Sequence, residues 1–330
     1  MNGPKNILVK APNFLGDHIM ALPFYEGLRA HYPDSALTLL GPEYVESFLN
    51  PAWGYSYRPL LLPNRERIPT ARLARVLRED QFDTAFSLAA SFSSAWLLWR
   101  ARIPNRIGFA ESVALPFLTH PLRWPGRGAG LHKSALYLSL LAEVGGDAIL
   151  PPLTVAQATS ASHVVVAPGA SLPLREWPYF LELIMWLRQN QPHLKVVVVG
   201  GAGEAVWHKR LSRLNDSGVE DLVGQTDLTE LERVMHGAAL VIANDSGPAH
   251  LAATVAKVPT LVLFGPGDPD YVAPRGNHVR IVRRTDLPCS PCESAVCRNV
   301  DKKACLNGLS LDEVVQALDL IPIGGKTPLT

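Results

Sequence analysis

A chain of 330 residues is long enough for two domains of ordinary size, and 47% hydrophobic with 18% charged residues is a globular rather than a disordered composition. The formal net charge is +1 and neither half is strongly basic, which argues against nucleic acid as a partner. No apolar run reaches the roughly 18–20 residues of a membrane span, and Asn13 and Asp17 interrupt any signal-like run at the start, so a cytoplasmic protein is expected.

In chain order, Ile7–Lys10 reads as a short strand, followed by the loop Ala11-Pro12-Asn13-Phe14-Leu15-Gly16-Asp17 and a helical segment to His31 that Pro23 should kink or delay. Leu37–Leu40, Thr84–Leu88 and Arg106–Phe109 read as further strands, and Thr70–Arg78 and His132–Val144 as helices. Alternating strands and helices predict an α/β fold with an open, doubly wound parallel sheet. Pro151-Pro152 and the small polar residues up to Ser162 mark a boundary between residues 1–155 and 156–330.

The second half repeats the alternation. Val164–Ala167, Val196–Val199, Leu240–Ala243 and Leu261–Phe264 are buried-strand runs, each leading into a turn rich in Gly, Pro or Asp. In a doubly wound sheet those turns gather at the carboxyl edge, where ligands bind. The most informative is Asn244-Asp245-Ser246-Gly247-Pro248, between a strand and an Ala-rich helix. Backbone N–H groups at such a helix start suit a phosphate or diphosphate; an ordinary helix capped by Asp245 or Ser246 is the other reading.

Several side chains stand near these turns. Arg175 follows the first of them and can pair with phosphate oxygens or stand in solvent; His250 lies in the first turn after Gly247 and is a phosphate donor or a structural histidine. Glu204 follows Gly200-Gly201-Ala202-Gly203, which lacks the full dinucleotide spacing; its carboxylate suits a ribose hydroxyl or a helix dipole. Asp17, at a helix start, is placed either as a general base or as an N-cap. Asp268-Pro269-Asp270 has a metal-binding spacing but reads as a turn.

Arg100, Arg102, Arg106, Arg123, Arg127 and Lys133 are opposed only by Glu111, a local excess that fits an anionic partner, a lipid surface or a solvated face. All four cysteines, Cys289, Cys292, Cys297 and Cys305, fall within 17 residues. The first spacing suits zinc, the later ones are not those of a common ribbon, and a structural zinc pinning a C-terminal loop is one of two open readings, free thiols being the other.

Six pieces of the chain, in this order, resemble the heptosyltransferase family, glycosyltransferase family 9. They are Pro12-Asn13-Phe14-Leu15-Gly16-Asp17; Arg106-Ile107-Gly108-Phe109; Pro168-Gly169-Ala170 with Arg175-x-Trp177-Pro178; Gly200-x-x-x-Glu204; Asn244-Asp245-Ser246-Gly247-Pro248-x-His250; and Phe264-Gly265-Pro266-x-Asp268-Pro269. The resemblance implies a GT-B fold, two Rossmann-like domains facing across a cleft. The N-terminal one would bind a Kdo–lipid A core acceptor and the C-terminal one ADP-heptose. It implies Asp17 as general base, Asp245, Ser246, Gly247 and His250 on the diphosphate and heptose, and Glu204 on the ribose. Arg175 stands where the family commonly has lysine. It further implies no required metal, inversion at the sugar, Arg100, Arg102 and Arg106 receiving acceptor carboxylates and phosphates, and peripheral contact with the inner membrane.

Overall fold

Short apolar runs flanked by turn residues form parallel strands in two sheets. The computed structural model describes residues 3–48, 54–60, 68–110, 113–125, 130–150, 163–292, 294–318 and 321. The chain divides into two units, Met1–Pro151 and Pro152–Thr330. The boundary expected at 155/156 falls in 151–162, outside the described residues.

The first unit contains β1 (Asn6–Lys10), β2 (Ala36–Gly41), β3 (Tyr55–Pro59), β4 (Thr84–Ser87), β5 (Asn105–Ala110) and β6 (His120–Arg123). Their order is β3-β2-β1-β4-β5-β6, every pairing parallel. The second unit contains β7 (His163–Ala167), β8 (Lys195–Val198), β9 (Val219–Asp221), β10 (Ala238–Asn244), β11 (Thr260–Leu263) and β12 (Val279–Val282). Its order is β12-β11-β10-β7-β8-β9, again all parallel. In the first sheet the strand order is 3-2-1-4-5-6, reversing between strands one and four. The second, read from β9, has the same order and reverses between β7 and β10.

The central strands are buried on both faces, as their uninterrupted Val, Ile, Leu and Ala content requires. Trp177 and Phe180 anchor the second core, with the Trp177 indole N–H donating to Leu309 O at 2.8 Å so that the buried ring keeps its polar atom satisfied. Leu8, Leu40, Leu77, Phe82 and Leu98 pack together in the first.

Of two irregular helical segments, the first is interrupted at Pro23 as expected and the second differs from expectation. The one after β1 is two helices, Leu15–Met20 and Leu22–His31, because Pro23 fits only the first turn of a new helix. The one after β10 makes a single α-turn, Gly247–His250, and then widens to a π-helix, Leu251–Ala256, ending at Lys257 with φ +56°. Among the described residues no helix is long and apolar enough to cross a membrane.

Candidate functional site

In the first unit the order reverses between β1 and β4, and the loops leaving those strands carry the polar groups. A cavity of about 360 Å³ opens there, lined by Lys10 at the end of β1, Asn13 in the loop after it, and Ser91, Ser93 and Ser94 after β4. Lys10 is 5% exposed; its Nζ donates to Ala11 O at 2.6 Å and to Asn13 Oδ1 at 3.2 Å.

Asp17 lies in the first turn of Leu15–Met20, and the N-cap position belongs to Phe14. The N-cap alternative for Asp17 therefore does not apply: its carboxylate instead receives Lys133 Nζ, 2.7 Å from Oδ1. Lys133 is the first residue of the helix Lys133–Ala142, and both partners are largely shielded. Tyr44 stands close by, its hydroxyl donating to Asn13 O, and burial together with the Asp17 charge pushes that hydroxyl's pKa up. The neighbouring His18 is fully buried with Tyr25 Oη 3.0 Å from Nδ1, and desolvation lowers its pKa to about 3, so it is neutral at pH 7.

The second unit gathers its polar groups at the corresponding place, between β7 and β10. Asn244, fully buried at the end of β10, accepts from Trp177 N at 3.0 Å and donates to Pro168 O at 2.7 Å. Both turns that follow β7 are thus tied to β10. This brings Arg175 to Asp245, with Nη1 3.0 Å from Oδ2, where Asp245 is 4% exposed and a glycine at 267 leaves room for its carboxylate. Ser246 holds the N-cap position, but its hydroxyl donates back to Asn244 O at 3.1 Å and does not cap the helix. Gly247 opens the helical turn, and His250 in that turn is buried.

Glu204 ends the short 3₁₀ turn Ala202–Glu204 after β8, and its Oε2 accepts from Gly201 N at 2.9 Å. A Cβ at Gly169 or Gly200 would collide with this carboxylate, so the two glycines create its seat at the strand ends. Burial pushes the Glu204 pKa up, partly opposed by the Gly201 N–H. Asp268 caps the helix Pro269–Val272 by accepting from Asp270 N at 3.1 Å, in line with its reading as a turn residue.

Arg100, Arg102 and Arg106 are placed elsewhere. The helix Phe92–Arg100 runs back from the end of β4, so these arginines stand where β5 begins, at the amino edge of the sheet. A six-residue strand of about 20 Å separates that edge from the one carrying Asp17. The structure brings Asp17 to Lys133 and not to the arginines.

Among the described residues, Cys289, Cys292, Cys297 and Cys305 form no disulfide, and the first three line one cavity. Among those residues no three His, Cys, Asp or Glu side chains are arranged to hold a metal. Cys289 and Cys292 are exposed, and two of the sulfurs serve as hydrogen-bond acceptors: Cys289 Sγ from Asn299 Nδ2 at 3.2 Å, Cys297 Sγ from Lys303 N at 3.3 Å. Backbone N–H contacts lower the Cys297 pKa. The loop is pinned by Lys303, whose Nζ donates to Pro173 O and Glu176 O, both at 2.9 Å, bracketing the turn that carries Arg175.

Lys133 as the partner of Asp17, buried Lys10, Asn244 and Lys303 are not singled out for these roles by the sequence. Only Lys10 and Asn244 leave a signal, each being a polar residue that closes an otherwise apolar strand.

Two parallel sheets of doubly wound order, each with polar side chains gathered at its switch point, make the GT-B fold. Residues 70–303 match the model of glycosyltransferase family 9 (heptosyltransferase), and the chain belongs to that family. It is 26% identical over 317 residues to lipopolysaccharide heptosyltransferase 2 of Salmonella typhimurium, covering 84% of this chain and 87% of that one. Its structure resembles that of the Escherichia coli ADP-heptose LPS heptosyltransferase II, with a TM-score of 0.75 at 22% identity over 96% of this chain and 98% of that one. It also resembles E. coli heptosyltransferase WaaC with ADP-2-deoxy-2-fluoro heptose, with a TM-score of 0.68 at 18% identity over 94% and 98%.

Proposed function

We propose that this glycosyltransferase moves heptose from ADP-heptose to the inner core of lipopolysaccharide, as a heptosyltransferase II-like enzyme, by a single inverting displacement without a required metal. What supports the reading is the placement of polar groups, the Asp17 carboxylate held by Lys133 on the first unit and Arg175, Asp245, Ser246, Gly247 and His250 around the turn after β10 on the second. The names of the relatives support the donor and the acceptor class.

In this mechanism residues 1–155 bind the acceptor and residues 156–330 the donor. Asp17, oriented by Lys133 through Oδ1, takes the proton of the attacking hydroxyl on its other oxygen. The oxygen attacks the anomeric carbon as the bond to ADP breaks, and negative charge grows on the departing diphosphate. Arg175, the Ser246 and Gly247 N–H groups at the helix start and His250 stabilise that charge, with Asp245 fixing Arg175. Glu204 accepts from the ribose hydroxyls. Preorganised donors act most strongly where charge develops, and losing one typically costs about 10²–10³ in rate.

The decisive experiment incubates the protein with ADP-heptose and lipid A acceptors bearing either Kdo alone or Kdo plus one heptose, followed by mass spectrometry. A gain of one heptose on the second acceptor alone is expected. Transfer to the first alone would mean a heptosyltransferase I activity, and transfer to neither would sink the assignment.

A further inference from the structure

Arg78, Arg100, Arg102 and Arg106 line a cavity of about 400 Å³ at the amino edge of the first sheet, together with Trp99, which is 45% exposed. Among the described residues that line it there is no carboxylate. We propose that this cavity is a phosphate-binding site, distinct from the carboxyl edge that carries Asp17.

The guanidinium groups are organised by neutral acceptors. Arg78 Nη2 donates to Arg100 O at 2.7 Å; Arg106 donates from Nε to Phe117 O at 2.7 Å and from Nη1 to Pro104 O at 3.1 Å and to Ile103 O. Arg100 stands over the Trp96 ring at 5.4 Å. Carbonyl dipoles and a ring face hold Arg78, Arg106 and Arg100 without cancelling their charge, and the exposed Arg102 adds a fourth, so the cavity keeps a concentrated positive potential. Desolvation already lowers the Arg106 pKa, a cost that an anion would offset. Asp80, on the turn between the helix Thr70–Glu79 and β4, is held by Arg58 at 2.7 Å and does not neutralise the group. Guanidinium forks pair bidentately with phosphate oxygens, and the three or more oxygens of a phosphate can be shared among several forks. The shared chemistry is a phosphate group, carried by a lipid headgroup or free in solution.

Two arms separate those sources. The full-length protein is floated with vesicles of phosphatidylcholine, with or without phosphatidylglycerol, and is titrated by calorimetry with inorganic phosphate. Retention by the anionic vesicles alone assigns a lipid-borne phosphate, and a phosphate isotherm without vesicle retention assigns the free anion. In either case Arg100→Gln/Arg102→Gln should weaken binding by about tenfold to thirtyfold, taking about fivefold per basic residue near an anionic surface. Arg72→Gln/Arg75→Gln, exposed positions on the helix Thr70–Glu79 outside the cavity, should leave it unchanged. If the double variant unfolds, Arg102→Gln alone carries the test at about fivefold. Binding in neither arm, or equal loss in the cavity and control variants, overturns the proposal.

Discussion

Lys133 Nζ and Asp17 Oδ1 are 2.7 Å apart, a contact that joins the start of one helix to the first turn of another 116 positions away. One carboxylate oxygen is fixed by a cation and the rotamer of the other is fixed with it. For a proposed base, that is orientation rather than proton transfer, and it separates what the two residues should do. Asp17→Asn should lower kcat by about 10²–10⁴ with little change in the KM for ADP-heptose. Lys133→Met should lower kcat by about tenfold, a smaller loss than removal of the base, and Lys133→Arg should recover part of it. Steady-state kinetics on the three variants decides the matter; near wild-type turnover in Asp17→Asn would remove it from the base role.

Arg175 and Asp245 make a pair in which the carboxylate is almost wholly buried and the guanidinium is about a quarter exposed. Arg175→Met leaves a buried charge without its cation, and the expected destabilisation sits near the low end of the roughly 3–5 kcal/mol seen for buried pairs. Arg175→Lys should keep most of the stability while losing the fork that holds two oxygens at once. Urea denaturation reads the first effect and ADP affinity the second. Equal stability of Arg175→Met and the parent would show that Asp245 does not depend on Arg175.

Gly169 offers a cleaner probe of Glu204 than substitution of the acid itself. A Cβ at Gly169 meets the far end of a flexible side chain, so the fold can absorb Gly169→Ala by swinging Glu204 away. Unfolding midpoints should move little while donor KM rises by about tenfold, the scale of one lost hydrogen bond to a charged group. A variant that keeps the parental KM would take Glu204 out of the donor site.

His18 makes the first unit sensitive to acid. Its pKa is near 3 in the folded chain against 6.5 as a free side chain. Between those values the unfolded chain binds the extra proton, so stability is retained above pH 6.5 and falls as the pH drops toward 3. The slope approaches about 1.4 kcal/mol per pH unit within that window. Denaturation curves measured from mildly acidic to neutral pH should therefore flatten in His18→Gln relative to the parent. An unchanged pH dependence would assign the acid sensitivity to other groups.

The eight interior strands are legible in the sequence as apolar runs, and the four that are not, β3, β6, β9 and β12, are the four sheet edges. Edge strands meet a neighbour on one side only and tolerate polar residues, as in Tyr-Ser-Tyr-Arg-Pro and His-Pro-Leu-Arg, so neither alternation nor continuous hydrophobicity marks them. The Asp245–Gly247 turn and Glu204 can be placed from local pattern because strand, turn and helix follow each other in sequence. Lys133 cannot be paired with Asp17 in that way, because only the tertiary fold brings them together. The arginine cluster is visible as charge, but its edge of the sheet depends on the direction in which the preceding helix runs. The cysteine spacing suggests a metal, yet spacing alone does not fix where side chains point.

A sheet whose strand order reverses once has one crevice where a ligand can settle, and this chain has two such sheets. A transferase that joins two molecules can seat one in each crevice. Under the proposed division, with the acceptor on residues 1–155 and the donor on 156–330, product inhibition reads it out: ADP should compete with ADP-heptose yet not with the sugar acceptor.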